Sequence, residues 1–229
     1  LPTLRELRLD VMESLRELPD GPAQCVFGID LQEARVVDES EQQVRDQARS
    51  TAESFGFHLQ GELDQLRNLL RTAAKDPQLA ALLQRGEAKA IQAKEASLEQ
   101  VFPPGSRIRL LPRGHNEPDT TRVPHLGWAS LDLLRTAETT PGMPPVEVHQ
   151  LNTPQVHIAL AVRLGQADPP EGLLHLAIPL TWLNSLMTKY QQTSAILALR
   201  QIVKTNANPA FARNRPQEPP TTLPGVVPL

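Results

Sequence analysis

The chain has 229 residues and a formal net charge of −3, with lysine and arginine scattered rather than clustered. That length supports a real core, and that charge pattern leaves no footprint for nucleic acid. The single cysteine, Cys25, excludes an internal disulfide, and no run of about 18 apolar residues offers a membrane span.

Residues 2–18 place Leu4, Leu7, Val11, Met12, Leu15 and Leu18 at helical spacing, with Pro2 in the first turn and Pro19 as a stop. Two short apolar pieces follow, residues 25–29 and 34–37, and both read as strands. Then comes the strongest local pattern. Val44, Ala48, Ala52, Phe55, Leu59, Leu63, Leu66, Leu70 and Ala73 recur at intervals of four or three. They form one face of a long amphipathic helix, acidic at its start and basic at its end through Arg71 and Lys75. Gly56 and Gly61 each weaken it by about 1 kcal/mol relative to Ala. Such a rod needs a partner surface along its length, either a sheet or a second copy of itself.

Asp76 and Pro77 form an N-cap and first position, starting a short helix that Gly86 breaks. A second helix carries Ala90, Ile91, Ala93 and Leu98. After Pro104 the period changes from 3.6 to 2. Residues 106–112 read as a strand with Ile108 and Leu110 on one face and Arg107, Arg109 and Leu111 on the other. Residues 128–138 read as a helix, and three strands follow at residues 146–152, 155–164 and 172–180. The last two join through "GQADPPEG", a turn-rich hairpin connection. A helix capped by Thr181 and a further strand over residues 194–203, a stretch that also fits a helix, complete the pattern. The tail from Pro209 holds six prolines and reads as a linker.

Helices segregated from a meander of strands argue an α+β fold, with the long N-terminal helix lying against an antiparallel sheet. That is the general plan of PAS-like sensors. Three segments are expected: 1–38, a helix with short strands; 39–203, the sensor domain; 204–229, a Pro-rich loop or linker.

Strand alternation also suggests a site. Val156, Ile158, Leu160, Val162 and Leu164 share one bulky face with Leu174, Leu176, Ile178 and Leu180. The other face combines small alanines with Arg109, His157, Arg163 and His175. Alanines leave room for a ligand or let a helix approach closely, and the cationic side chains favour an anion. Trp128, beside Gly127, either walls that pocket or fills core volume. Asp132, one turn later, either pairs with a ligand ammonium group or Arg109, or faces water. The candidate ligand-binding set is therefore Arg109, Trp128, Asp132, His157, Arg163 and His175.

Five of the six histidines lie between His115 and His175, but without a paired spacing on a helix and without a nearby cysteine. No metal and no cofactor is expected on that basis. Cys25 reads as a small buried side chain, and Ser130 and Ser185 lack a nucleophile-elbow context. No phosphate-cradling loop occurs, so this fragment is expected not to be an enzyme.

The segments "DPQLAALLQRGE", "RIRLLPRG", "LGWASLDLLRTAE" and "GLLHLAIPLTWL" resemble an extracytoplasmic Cache-type sensor domain. More narrowly, they resemble the N-terminal extension of long-form bacterial phosphomannomutase/phosphoglucomutase proteins. The likeness is one of pattern, over roughly residues 48–190. It implies a periplasmic sensory module tethered to the inner membrane by segments outside this chain, with the mutase in the cytoplasm. The absence of an initiator Met fits a piece of a longer protein. The mutase phosphoserine loop, of Thr-Ala-Ser-His-Asn-Pro type, and its Asp-x-Asp-x-Asp metal loop have no counterpart here. Expected partners are a small anionic ligand and a second protomer through the long helix. The alternatives are a sensor of a histidine kinase, chemoreceptor or cyclic-dinucleotide enzyme, and a ligand-free scaffold of a polysaccharide-secretion system.

Overall fold

The computed structural model describes residues 9–10, 26–34, 41–165, 167–190, 195–203, 206–207 and 212–213. The chain is α+β. A long helix α1, Glu41–Ala73, lies across a four-stranded antiparallel sheet made of β3 (Arg107–Leu111), β4 (Glu147–His149), β5 (His157–Arg163) and β6 (Leu173–Pro179). The strand order is β3-β6-β5-β4. Among the described residues, no helix is long and apolar enough to cross a membrane.

The stripe on α1 behaves as its spacing requires. Ala48, Ala52, Phe55, Leu59, Leu63, Leu66 and Leu70 are all buried in one core with Ile108, Leu110, Val148, Ile158, Leu160, Val162, Leu174, Leu176 and Ile178. The side chain of Val44 lies outside the described residues. Each large side chain removed from water in this way contributes about 2 kcal/mol. Within the chain, the sheet buries the stripe. Phe57, on the outward face, is 80% exposed.

Helices α2 (Pro77–Arg85) and α3 (Ala88–Glu99) pack beside β3. Asp76 caps α2 by accepting the Gln78 N–H at 2.9 Å, and Lys94 reaches its other carboxylate oxygen at 2.8 Å. The Lys94 hydrogen bond, with the Gln78 N–H, holds the Asp76 carboxyl below its ordinary range. Gly86 ends α2 at φ 66, a left-handed conformation that a Cβ disfavours. Helix α4 (Trp128–Thr139) lies on the opposite face of the sheet, and α5 (Leu180–Thr188) follows directly on β6. Its N-cap is Pro179, with no side-chain cap. Thr181, expected as the cap, instead lies inside the helix, because β6 runs into α5 without a loop.

A second sheet draws on both ends of the chain. Strand β1 (Leu9–Asp10) pairs with β2 (Val26–Ala34), β2 pairs with β7 (Ala195–Val203), and β7 also pairs with β8 (Asn206–Ala207) and β9 (Ala212–Arg213). This differs from the sequence expectation in three places. Leu9–Asp10, inside the stretch read as a helix, is a strand; the rest of residues 2–18 lies outside the described residues. Between the two strands expected at 25–29 and 34–37 no break is found: Val26–Ala34 is one strand, and residues 25 and 35–37 lie outside the described residues. Residues 206–207 and 212–213 pair with β7 rather than belonging wholly to a linker. In the first two cases a ladder between segments distant in sequence overrides local spacing; in the third the chain folds back on β7 from its own continuation. Leu197 and Leu199 of β7 enter the same core as α1.

Candidate functional site

The face of the four-stranded sheet turned away from α1 is divided in two. One half is apolar: Leu126, Leu131, Leu133, Leu134 and Ala137 pack with Leu111, Ala159, Ala161 and Leu173. The alanines therefore let α4 approach closely, and the room they leave is filled by its leucines.

The other half is polar and buried. His149, His157 and His175 are each 3% exposed or less. His149 and His157 are cross-strand partners on β4 and β5. His175 stands on β6 opposite Ala161, and the register places Ala159 and Ala177 between the His157 and His175 positions. Those small side chains leave space for the two rings to lean towards each other. The ring centroids are 5.7 Å apart for His149 and His157 and 6.4 Å for His157 and His175, both edge to face. One nitrogen from each of the three rings lies within 4.8 Å of the others.

The hydrogen bonds fix two of the three tautomers. Glu147 Oε2 is 2.8 Å from His149 Nε2, and a carboxylate only accepts, so Nε2 carries the proton. His149 Nδ1 then accepts from the Ser130 hydroxyl at 2.9 Å. His157 Nδ1 donates to the Gln155 carbonyl at 2.7 Å, which leaves its Nε2 as a bare lone pair. That Nε2 has no partner, and neither nitrogen of His175 has one. Burial pushes His157 down to about 4, and it pushes His175 well below the usual histidine value. Nε2 of His157 and both ring nitrogens of His175 are thus buried with nothing to satisfy them, and burial disfavours the charged form of these two rings.

Ser130, His149 and Glu147 form a hydroxyl–imidazole–carboxylate row, the components of a nucleophilic relay. Ser130 is only 2% exposed, so no substrate carbonyl reaches its Oγ in this arrangement. What the row does is hold the His149 ring.

Beside the cluster, Arg109 is the cross-strand neighbour of His175. It is 3% exposed, and its guanidinium donates to Asp119 and to the backbone carbonyls of Arg122 and Pro124. Asp119 is held down to about 2, chiefly by its hydrogen bonds with Thr121 and by the neighbouring guanidinium groups. Arg122 continues the network to the buried carboxylate of Glu95 at 2.7 Å, and Glu95 also accepts the Leu110 N–H at 2.7 Å. This network clasps residues 112–126 to the sheet edge. Gln155 ties the same loop to the cluster by accepting the His125 N–H at 2.9 Å.

Of the six residues expected from sequence, Arg109, His157 and His175 come together. Arg163 stands at the far end of β5, bound to the Ala167 carbonyl and 3.4 Å from Asp168. Asp132 pairs with Arg135 on the solvent face of α4 rather than with Arg109, whose carboxylate partner is Asp119. Trp128 is 72% exposed, so it neither walls the cluster nor fills the core. Sequence reasoning left His149 and Glu147 out of the site and set Ser130 aside for want of a nucleophile-elbow context, although "VEVHQLN" carries Glu147 and His149 on one strand face. Their meeting with His157 depends on a β4–β5 register that no spacing rule reveals.

Comparison with protein-family models, with curated proteins and with solved structures finds no match for this chain.

Proposed function

We propose that this chain is a non-catalytic sensory module that recognises a small ligand or ion at the polar layer beneath α4. One observation carries the reading. A set of buried ring nitrogens without hydrogen-bond partners lies on one face of a sheet whose other face seats α1. An apolar core needs no such groups, and leaving them unsatisfied costs about 1–3 kcal/mol each. A partner that binds them recovers that cost. The sheet then links the bound state to a helix of 33 residues.

The mechanism is a population shift: the ligand favours the arrangement of β4, β5, β6 and α4 in which the rings converge. Both expected cations are engaged within the chain, so a neutral ligand or a cation fits this layer better than an anion. On the pattern resemblance, we place the module in the periplasm, tethered to the inner membrane and attached to a cytoplasmic phosphomannomutase/phosphoglucomutase. Pairing of two protomers would use the outward face of α1, around Phe57.

The test is a thermal-shift and hydrogen-exchange screen of small ligands and ions. A ligand at a hundredfold excess over its Kd stabilises the chain by about 2.7 kcal/mol, and amides of α1 gain protection. A scaffold without a ligand, the second reading, shows neither change.

A further inference from the structure

We infer that His149, His157 and His175 form a binding site for a divalent transition metal of the zinc class, held by three imidazole nitrogens with one position left open. The inference deepens the reading of the polar layer as the recognition site, and it rests on the geometry of three side chains.

Three features support it. First, one nitrogen of each ring lies within 4.8 Å of the others. Ligand nitrogens around a tetrahedral zinc ion sit about 3.3 Å apart, given Zn–N distances of about 2.0–2.1 Å. Rotations about the side-chain torsions that close the cluster by roughly 1.5 Å meet that requirement. Second, the outer partners are those that metal-binding histidines use. Gln155 O takes the Nδ1 proton of His157, and Glu147 takes the Nε2 proton of His149. Each partner fixes the tautomer and raises ligand basicity, leaving His157 Nε2 unpartnered and His149 Nδ1 accepting from Ser130. Third, Nε2 of His157 and both ring nitrogens of His175 are buried without partners, so no competing hydrogen bond occupies them. In the metal-bound state His149 Nδ1 exchanges the Ser130 hydrogen bond for the metal. Three imidazoles with no thiolate select Zn(II) and its neighbours Co(II), Ni(II) and Cu(II) over Mg(II) or Ca(II). Arg109 stands nearby and its charge disfavours a cation at His157 and His175; its ion pair with Asp119 offsets part of that cost.

The experiment titrates the full chain, freed of metal by chelation, with Zn(II) by calorimetry and with Co(II) by visible absorption. The expected result is one ion per chain with micromolar or tighter affinity, and the intense absorption of four-coordinate Co(II) with nitrogen ligands. His157→Gln and His175→Asn should each weaken binding at least tenfold. Glu147→Gln should weaken it about 10–100-fold through the His149 ring. His58→Gln, half-buried on α1 beside Glu62 and Tyr190 across the sheet from the cluster, should leave it unchanged. The Co(II) spectrum of the unaltered chain keeps the test decisive if a histidine variant unfolds. Absence of saturable binding overturns the inference, as does a six-coordinate Co(II) spectrum or binding that survives His157→Gln but not His58→Gln. If zinc fails while an organic ligand stabilises the chain and protects α1, the metal site falls and the sensory reading stands. If zinc binds while α1 exchange is unchanged, the site stands and the sensory reading falls.

Discussion

Replacing Asp119 by Asn removes a charge while keeping shape and an oxygen acceptor for the Thr121 N–H. The carboxyl is held from 3.8 down to about 2 in the folded chain. Converted at about 1.4 kcal/mol per unit and reduced for the partial exposure of Asp119, that is worth about 1–2 kcal/mol at neutral pH. The structure adds a second cost. Arg109 is 3% exposed, and Asp119 is its carboxylate partner, so the variant strands a buried guanidinium. Stranding one member of a buried pair costs about 3–5 kcal/mol, and two backbone carbonyls still accept from this guanidinium, so the expected loss is about 2–3 kcal/mol. Urea unfolding at pH 7 measures it. The double variant Arg109→Met/Asp119→Asn should recover most of the loss, because it removes the stranded charge as well. The sign of the pH dependence follows from the depressed carboxyl. Its contribution is complete above the unfolded value of 3.8 and is lost as pH falls through about 2. The stability gap between native chain and Asp119→Asn should therefore be flat from neutral pH to about 5 and close between about 4 and 2. A cost below about 0.5 kcal/mol at pH 7 would sink the argument, since a buried unpaired cation cannot be that cheap.

Glu95→Ala leaves the buried Leu110 N–H without its acceptor and should cost about 1–3 kcal/mol in urea unfolding. Phe55→Ala, at the fully buried centre of the α1 stripe, should cost about 3–5 kcal/mol and lower the thermal midpoint accordingly. A Cβ at Gly172 would meet Leu83 Cδ1 at 2.3 Å and the Leu111 carbonyl oxygen at 3.0 Å. Gly172→Ala should therefore cost about 1–3 kcal/mol, whereas Gly61→Ala, inside α1 with open space around it, should be neutral or stabilise by up to about 1 kcal/mol. Differential scanning calorimetry of the two glycine variants checks the contrast.

Much of this architecture can be read from local pattern. The apolar stripe of α1, the Asp76–Pro77 start and Gly86 stop of α2, and the alternation in β3, β5 and β6 each write one element into one stretch of chain. What sequence hides is which distant pieces meet. The β2–β7 ladder joins Val26 to Ile202, and nothing in either strand names the other. The site shows the same divide. His157 and His175 stand on the polar face by alternation alone. His149 joins them only because β4 pairs with β5 in one particular register. The covering of Ala159 and Ala161 by α4 is likewise a tertiary choice, since an alanine pair invites a helix and a ligand equally.

The pairing of β2 with β7 gives the molecule a mechanical character. The chain comes in and goes out through adjacent ribbons of one sheet, and the start of β2 at Val26 lies opposite the end of β7 at Ile202. A pull applied at both flanks would first peel the two-residue edge strands β1 and β9, then part β2 from β7 one rung after another. Because Leu197 and Leu199 of β7 share a core with α1, parting the clasp also draws on the α1 platform.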